Sequence, residues 1–309
     1  MNARKGLGAG SALLVLLLAA ANAGAQVIAD QEVQLTSHEP STIGFTWDND
    51  DQRFLDFALS LKYELLPKPM RQLGNGDYQL YFAFSARFGQ YVGTRDSEPV
   101  ITKRFNPNLF LRHLGDQSQS ESLDLVIGHE SNGQSINTPA EYQSARDAAI
   151  AAGHPPDDAK DNISRGWDYV GVDWRRIPWR DPGRYRISAQ AGVKFFLSRG
   201  PFQKSPEEYS SWENDPEGKP RSEVSGLSAS FNYYNESLRG ALFDGFKAGV
   251  RYETGYRNPV RFNTVRLELG SRFLDLPLVI WVRHGYLSDL AQYYKKGSSV
   301  GVAVEIGSF

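Results

Sequence analysis

Cysteine is absent from the 309 residues of this chain, so neither a disulfide nor a cysteine-ligated metal can stabilise its fold. An excess of charge of one sign is also lacking. The 34 basic residues stand against 36 acidic ones, and the formal net charge of −2 gives no indication of a nucleic-acid partner. After residue 21, no apolar run reaches the length of a membrane-spanning helix. A helical membrane domain is therefore not expected.

The one long apolar run lies at the N-terminus and has the layout of a secretory signal. Arg4 and Lys5 precede an apolar stretch over residues 12–21, and residues 23–25 read Ala-Gly-Ala, a small-x-small cleavage site. We expect residues 1–25 to be removed on export, with cleavage two residues earlier as the alternative.

Strands rather than helices are indicated by the spacing of apolar residues in the rest of the chain. Apolar and polar residues alternate through 55–65, 78–88 and 185–197, and the pattern recurs in later, shorter runs. Several runs reach the roughly 9–11 residues that a tilted membrane strand needs. We predict an all-β domain, a transmembrane antiparallel β-barrel over residues 41–309, with a periplasmic segment at 26–40.

About twelve strands can be counted, an even number as in bacterial barrels. Their polar faces carry charges of both signs, which predicts cross-strand pairing and a filled polar interior. Alternation alone does not tell which face is outside. Short links are expected at one end and long outward loops at the other: the links lie at 178–183, 235–240 and 274–277, the loops at 93–106, 130–163, 199–223 and 286–298.

The strongest chemical signal is the hexapeptide Gly-His-Glu-Ser-Asn-Gly at residues 128–133. In a strand, residues i and i+2 point to the same side, about 7 Å apart. His129 and Ser131 would therefore share a face with Leu125 and Ile127. A base beside a hydroxyl is the minimum for an activated serine nucleophile. The alternative reading is an interfacial histidine followed by an ordinary Asn-Gly turn.

A third group that could orient the imidazole lies at the start of the next strand. Asp168 has the same parity as His129 and Ser131, and an outward loop joins the two strands as antiparallel neighbours. We therefore predict a Ser131–His129–Asp168 triad. Pairing of Asp168 with Arg165 is the alternative, and Glu130, on the opposite face, is the next candidate for the third member.

These residues resemble the motifs of the outer-membrane phospholipase A family. Residues 128–133 (GHESNG) are similar to its His-x-Ser-Asn-Gly motif, and residues 164–168 (SRGWD) to its Ser-Arg-x-Trp-Asn motif. The stretch 97–111 resembles the segment ahead of the family's active site. Two departures stand out: Asp168 replaces the usual Asn, and the loop over 134–163 is longer than the family's.

The resemblance implies a twelve-stranded barrel in the bacterial outer membrane that hydrolyses phospholipid acyl esters at the outer leaflet. It further implies calcium as cofactor and a homodimer as the active form. Oxygen ligands suit a hard cation such as calcium, and the chain has no cysteine and no His-x-x-x-His pair.

The resemblance also assigns roles by position. Ser131 matches the nucleophile and His129 the base, while the Gly133 amide matches the oxyanion-hole donor. The expected calcium ligands are the Gln134 carbonyl, the Ser164 hydroxyl and, donated across the dimer, the Ser97 carbonyl.

Two other functions remain open. A non-catalytic porin or transport barrel would have a wet lumen, and ion conductance without esterase activity would identify it. A lipopolysaccharide deacylase would share the chemistry of a phospholipase, and analysis of the lipid products would separate the two.

Overall fold

The structure is a computed structural model that describes residues 35–49, 52–65, 72–73, 76–95, 100–115, 120–203 and 219–306. The predicted signal peptide at 1–25 and most of the segment at 26–40 lie outside these ranges, as does Ser97. Among the described residues, no helix is both long and apolar enough to cross a membrane.

Twelve long strands form the wall of the molecule, and two short strands extend it. All of the strands pair antiparallel. In chain order they are β1 (Thr36–Ser37), β2 (Ser41–Asp48), β3 (Arg53–Glu64), β4 (Gln72–Leu73), β5 (Gly76–Tyr91), β6 (Val100–Leu114), β7 (Glu121–Ser131), β8 (Gly166–Asp181), β9 (Tyr185–Phe196), β10 (Gly226–Arg239), β11 (Phe243–Gly255), β12 (Asn263–Phe273), β13 (Leu276–Tyr286) and β14 (Lys296–Ile306).

The wall closes on itself because the last strand pairs with the first long one. Val302 of β14 lies opposite Phe45 of β2, and β3 continues the ring to β5. The short strands β1 and β4 only lengthen β3 and β5 at their edges. The predicted twelve-stranded antiparallel barrel is therefore confirmed.

The apolar face of the alternation is the outer face. Leu125, Ile127 and Ile280 each expose about half of their surface (53, 52 and 53%) although they stand in the middle of strands. A soluble sandwich would bury such a face, whereas a transmembrane barrel turns it towards lipid. The structure thus decides the question that the alternation leaves open.

The polar face lines the interior and its charges are paired. Arg112 and Asp124 are joined by two hydrogen bonds of 2.8 and 2.7 Å. Lys247 reaches Glu305 at 2.7 Å and Glu268 at 3.5 Å. These pairs lie inside the barrel, beside an internal cavity of about 450 Å³. The expected mixture of charges inside the barrel is confirmed.

Two of the predicted short links begin too early, and both errors have the same cause. The ladder shifts register between Arg176 and Trp179, and again between Asn235 and Arg239. At such bulges a strand tolerates residues such as Pro178, which resemble a turn in the sequence. The loop predicted over 93–106 is also wrong at its end, because β6 already begins at Val100.

The longest described loop joins β7 to β8 and contains its own small core. It holds helix α1 (Pro139–Ala151), which Thr138 and Glu141 cap reciprocally, and a 3-10 helix (Pro156–Asn162). Packing among four residues holds these elements together: Ile136, Tyr142, Ala159 and Ile163. A shorter helix, α2 (Arg221–Val224), lies just before β10.

An aromatic cluster closes the end of the barrel at which β7 ends and β8 begins. Trp167 of β8 packs edge-on against Tyr293, with ring centroids 5.3 Å apart, and both are buried. Tyr293 belongs to the loop at 287–295, which follows β13, and β13 is not a neighbour of β8 in the ring. The Leu290 amide of this loop donates to the Lys103 carbonyl of β6 at 3.2 Å. The loop therefore spans the mouth of the barrel.

Candidate active site

The end of β7 and the start of β8 bring the predicted site residues together. In the antiparallel register His129 lies opposite Asp168, and Ser131 lies opposite Gly166. The three side chains belong to the outer, lipid-side parity together with Leu125 and Ile127. The expectation that Asp168 lies across from His129 is correct.

A short contact joins the imidazole to the carboxylate. His129 Nδ1 is 2.6 Å from Asp168 Oδ1. Asp168 is 2% exposed, whereas the His129 side chain remains 21% exposed. Since a carboxylate only accepts hydrogen bonds, the contact assigns the proton to Nδ1 and leaves Nε2 as the free base. Pairing of Asp168 with Arg165, the alternative reading, is not what the structure has.

Gly166 separates the base from the hydroxyl. A methyl group at this position would lie 3.5 Å from His129 Nε2 and 3.5 Å from Ser131 Cβ. Both side chains therefore border the space above the Gly166 backbone. Within the described part of the chain no hydrogen bond joins the Ser131 hydroxyl to His129. Such bonds are often long in the absence of substrate and tighten in the Michaelis complex.

The chain turns sharply immediately after Ser131. Gly133 has a φ of +62°, in the left-handed region that favours glycine. Its amide makes no hydrogen bond to any described residue, so it is free to donate to a ligand. Asn132 is fully buried and fixes the turn: its Nδ2 donates to the Ile163 carbonyl at 2.7 Å, and its Oδ1 accepts from the Arg165 amide at 2.8 Å. In the sequence the Asn-Gly pair indicates only a turn, and it does not reveal that the Asn132 side chain also binds residues 163 and 165.

The two described calcium-ligand candidates lie on neighbouring backbone segments. Residues 136 and 163 form a parallel bridge, and the Ser164 amide donates to the Ile136 carbonyl at 2.8 Å. Gln134 lies between this bridge and the contact of Asn132 with Arg165, and its side chain reaches the Thr102 carbonyl at 3.4 Å.

A carbonyl and a hydroxyl are oxygen ligands of the type that calcium accepts. They are neutral and few, however, and among the described residues no group of three or more acidic or histidine side chains could hold a metal. The nearby Asp161 is already bonded to Tyr91, Gln292 and Arg95. The donor set therefore fits a calcium ion only as part of a larger shell.

Sequence reasoning missed the segment that covers Asp168. Residues 197–203, which include the start of the outward loop predicted at 199–223, fold back over the outer face of β8. The Phe202 amide donates to Asp168 Oδ2 at 2.7 Å, and the Phe202 ring lies 6.0 Å from the His129 ring. This cover explains why an outward-facing carboxylate is almost completely buried.

Glu130 does not reach the site. Its side chain points into the barrel, is 1% exposed and pairs with three cations: Arg221 at 3.3 Å, Lys194 at 3.6 Å and Arg104 at 4.0 Å. Glu130, the next candidate for the third member of the triad, therefore forms its ion pairs on the inner face of β7, away from His129.

No protein-family model and no curated protein sequence matches this chain. Several solved structures share its fold. Outer membrane phospholipase A from Escherichia coli aligns with a TM-score of 0.57 and 15% identity, over 89% of this chain and 99% of that chain. An active-site mutant of the same protein gives 0.58 and 15%, over 93% and 96%.

A Salmonella typhi outer membrane phospholipase dimer with bound calcium gives a TM-score of 0.56 and 14% identity, over 90% of this chain and 94% of that chain. At these identities the likeness is one of fold. The resemblance carried by residues 128–133 and 164–168 thus extends to the architecture of nearly the whole chain, which is that of the outer membrane phospholipase A barrels.

Proposed function

We propose that this protein is a serine phospholipase A of the bacterial outer membrane, with Ser131, His129 and Asp168 as its catalytic triad. One observation carries the proposal. An imidazole bonded to a buried carboxylate stands next to a serine on the lipid-facing side of a transmembrane barrel. Polar groups are costly on such a face. A substrate that arrives from the bilayer gives them a purpose.

The reaction follows the logic of acyl transfer by an activated serine. Ser131 Oγ attacks the carbonyl carbon of an acyl ester while His129 Nε2 takes its proton. Asp168 holds the ring and stabilises the imidazolium that forms. The carbonyl oxygen of the ester becomes an oxyanion, for which the Gly133 amide is the available donor.

Collapse of the tetrahedral intermediate breaks the ester bond. His129 returns the proton to the departing alcohol of the lysophospholipid, and the acyl group remains on Ser131. A water molecule, deprotonated by the same imidazole, then attacks the acyl-enzyme. The second collapse releases the fatty acid and restores the Ser131 hydroxyl.

Calcium and dimerisation belong to the proposal through the resemblance. The Gln134 carbonyl and the Ser164 hydroxyl would hold the ion, with the Ser97 carbonyl contributed by a second copy of the chain. A bound calcium would add positive charge beside the oxyanion, where a single backbone amide is a weak donor set. The Salmonella typhi structure of similar fold, a dimer with bound calcium, supports this part.

The closed mouth of the barrel favours an enzyme over a porin. The loop at 287–295 and the buried pair of Trp167 and Tyr293 cross the interior where an open channel would need free space. A lipopolysaccharide deacylase would use the same triad and stays the second candidate.

The test is fatty-acid release by the refolded full chain from phospholipid micelles, with calcium and with a chelator. The Ser131→Ala protein is the matched control, and planar-bilayer conductance is measured in parallel. Calcium-dependent release by the parent chain alone is expected. Conductance without any ester hydrolysis would contradict the proposal, and release of acyl chains only from lipopolysaccharide would replace the substrate class.

A further inference from the structure

The Asp168 carboxylate receives two hydrogen bonds, one at each oxygen. Oδ1 is 2.6 Å from His129 Nδ1, and Oδ2 accepts the Phe202 amide hydrogen at 2.7 Å. The first contact belongs to the triad. The second comes from the backbone of a different element and has no part in the proposed reaction.

A β-turn delivers the second hydrogen bond. The Gln203 amide donates to the Gly200 carbonyl at 3.3 Å, which makes Pro201 and Phe202 the central residues of the turn. Proline in the first central position presets the turn geometry. Phe202 is not among the residues of positive φ, which excludes a type II turn.

The same segment forms hydrogen bonds with the backbone of Asp168 as well as with its side chain. Gln203 Oε1 accepts the Asp168 amide hydrogen at 3.0 Å, and the Leu197 amide donates to the Asp168 carbonyl at 2.8 Å. We call residues 197–203 the carboxylate turn. Three contacts with one residue hold this turn over the outer face of β8.

Gly200 lets the turn approach so closely. A methyl group at this position would overlap both Cβ and Oδ2 of Asp168. The backbone of the turn is therefore pressed directly against the carboxylate, and no side chain other than hydrogen fits between them.

We infer that the carboxylate turn is a positioning element that requires a carboxylate, rather than a carboxamide, at position 168. Two donors, the His129 ring and the Phe202 amide, converge on the two terminal atoms of this side chain. Aspartate offers an acceptor to each of them. Asparagine offers one oxygen, and its NH₂ group would then oppose an N–H. A buried donor without an acceptor costs as much as a lost hydrogen bond or more.

This inference rests on the proposed serine hydrolysis and accounts for the departure of this chain from the motif it resembles. The resemblance alone suggests that an amide oxygen can hold the histidine ring. In this chain the turn disfavours an asparagine at position 168, because the Phe202 N–H already points at the second terminal atom of that side chain.

The experiment tests whether the effect of a substitution at position 168 depends on the Phe202 amide. Asp168→Asn is made in the normal backbone and in a chain whose residue 202 is the α-hydroxy acid phenyllactate, which replaces the amide N–H by an ester oxygen. Rates are measured on phospholipid micelles at saturating calcium. A long-chain alkyl sulfonyl fluoride measures the labelling of Ser131 in parallel.

We expect Asp168→Asn to lower kcat by about 100-fold in the normal backbone, with little change in KM, because a donor–donor contact replaces a charged hydrogen bond. In the ester backbone the same substitution should cost about tenfold or less, since the opposing N–H is gone. Asp181→Asn, at the opposite end of β8 from Asp168, is the control and should stay within about threefold of the parent chain.

Gly200→Ala gives the same comparison without backbone chemistry. Its methyl group pushes the turn away from Asp168, so kcat should fall about tenfold while the barrel keeps its heat-dependent gel mobility. In this background too, the cost of Asp168→Asn should shrink.

The inference would be overturned if Asp168→Asn lowered kcat by the same factor in the normal backbone, in the ester backbone and in the Gly200→Ala background. Full activity of the Asp168→Asn chain would overturn it as well. The proposed function fails separately, if the parent chain releases no fatty acid. Labelling of Ser131 would then still measure the coupling, and a parent chain that is not labelled would overturn both.

Discussion

Glu130 follows His129 directly in β7, yet its carboxylate lies 3.3 Å from Arg221 Nε inside the barrel. The alternation of the strand sends one side chain to the lipid-facing site and the next to a buried charge cluster. Arg221 stands in α2, which enters the barrel from the loop before β10. The residue next to His129 thus ties a loop helix to the wall.

Removal of this carboxylate should destabilise the barrel. Glu130→Ala leaves three cations around an empty position, and breaking a buried ion pair by deleting one partner costs about 3–5 kcal/mol. Urea denaturation followed by tryptophan fluorescence measures the change in free energy of unfolding. Asp181→Ala is the matched control: its partner Arg184 is 76% exposed, and such surface pairs contribute about 1 kcal/mol or less. Equal losses in the two variants would contradict a special role for Glu130.

The proposed nucleophile Ser131 and the proposed base His129 should be essential to activity and dispensable for the fold. Ser131→Ala and His129→Ala are each expected to lower kcat by about 10³-fold or more, since triad members act as a unit. Heat-dependent gel mobility should not change, because strand hydrogen bonds hold the barrel together. The double variant should be no slower than the worse single one, and additive losses would speak against a shared step.

Alternation predicted the shared face of the site, and together with strand length and the pattern of short and long links it predicted the barrel. Period two determines parity, and an antiparallel loop connection determines which strand ends meet. For this reason Asp168 could be placed opposite His129 from sequence alone. Errors arose where the ladder shifts register, as at Pro178, because a bulge changes the strand without changing the appearance of its residues.

The carboxylate turn could not be predicted, and the reason is physical. Gly200, Pro201 and Phe202 signal a turn, but a turn does not specify what its amides contact. That contact depends on the path of the chain after β9. Asn132 posed the same difficulty: an Asn-Gly pair indicates a bend, whereas its side-chain bonds to residues 163 and 165 depend on a loop of more than thirty residues closing on itself.

Calcium dependence should respond to Ser164 and not to the side chain of Gln134. Ser164→Ala removes a proposed ligand atom and should raise the calcium concentration for half-maximal activity by about tenfold, as expected for the loss of one hard oxygen ligand. Gln134→Ala keeps the backbone carbonyl and loses only a 3.4 Å contact with Thr102. A calcium titration of fatty-acid release with all three proteins compares the shifts. An unchanged titration for Ser164→Ala would remove this residue from the ligand set.

The loop across the mouth should loosen as the pH rises. Asp289 lies in this loop, outside the membrane-spanning strands, and burial together with the nearby Asp161 raises its pKa to about 7. An acid whose pKa is higher in the folded state binds its proton more tightly there. Its contribution to stability is therefore complete below about pH 4 and is lost as the pH rises through about 7.

We expect amide exchange in residues 287–295, corrected for the intrinsic pH dependence, to be about tenfold faster at pH 8 than at pH 5. Asp289→Asn cannot ionise, so its loop should exchange slowly at both pH values. Asp275→Asn, in the short link between β12 and β13, is the matched control and should behave like the parent chain. If the parent loop exchanges equally at both pH values, Asp289 does not control the closure of the mouth.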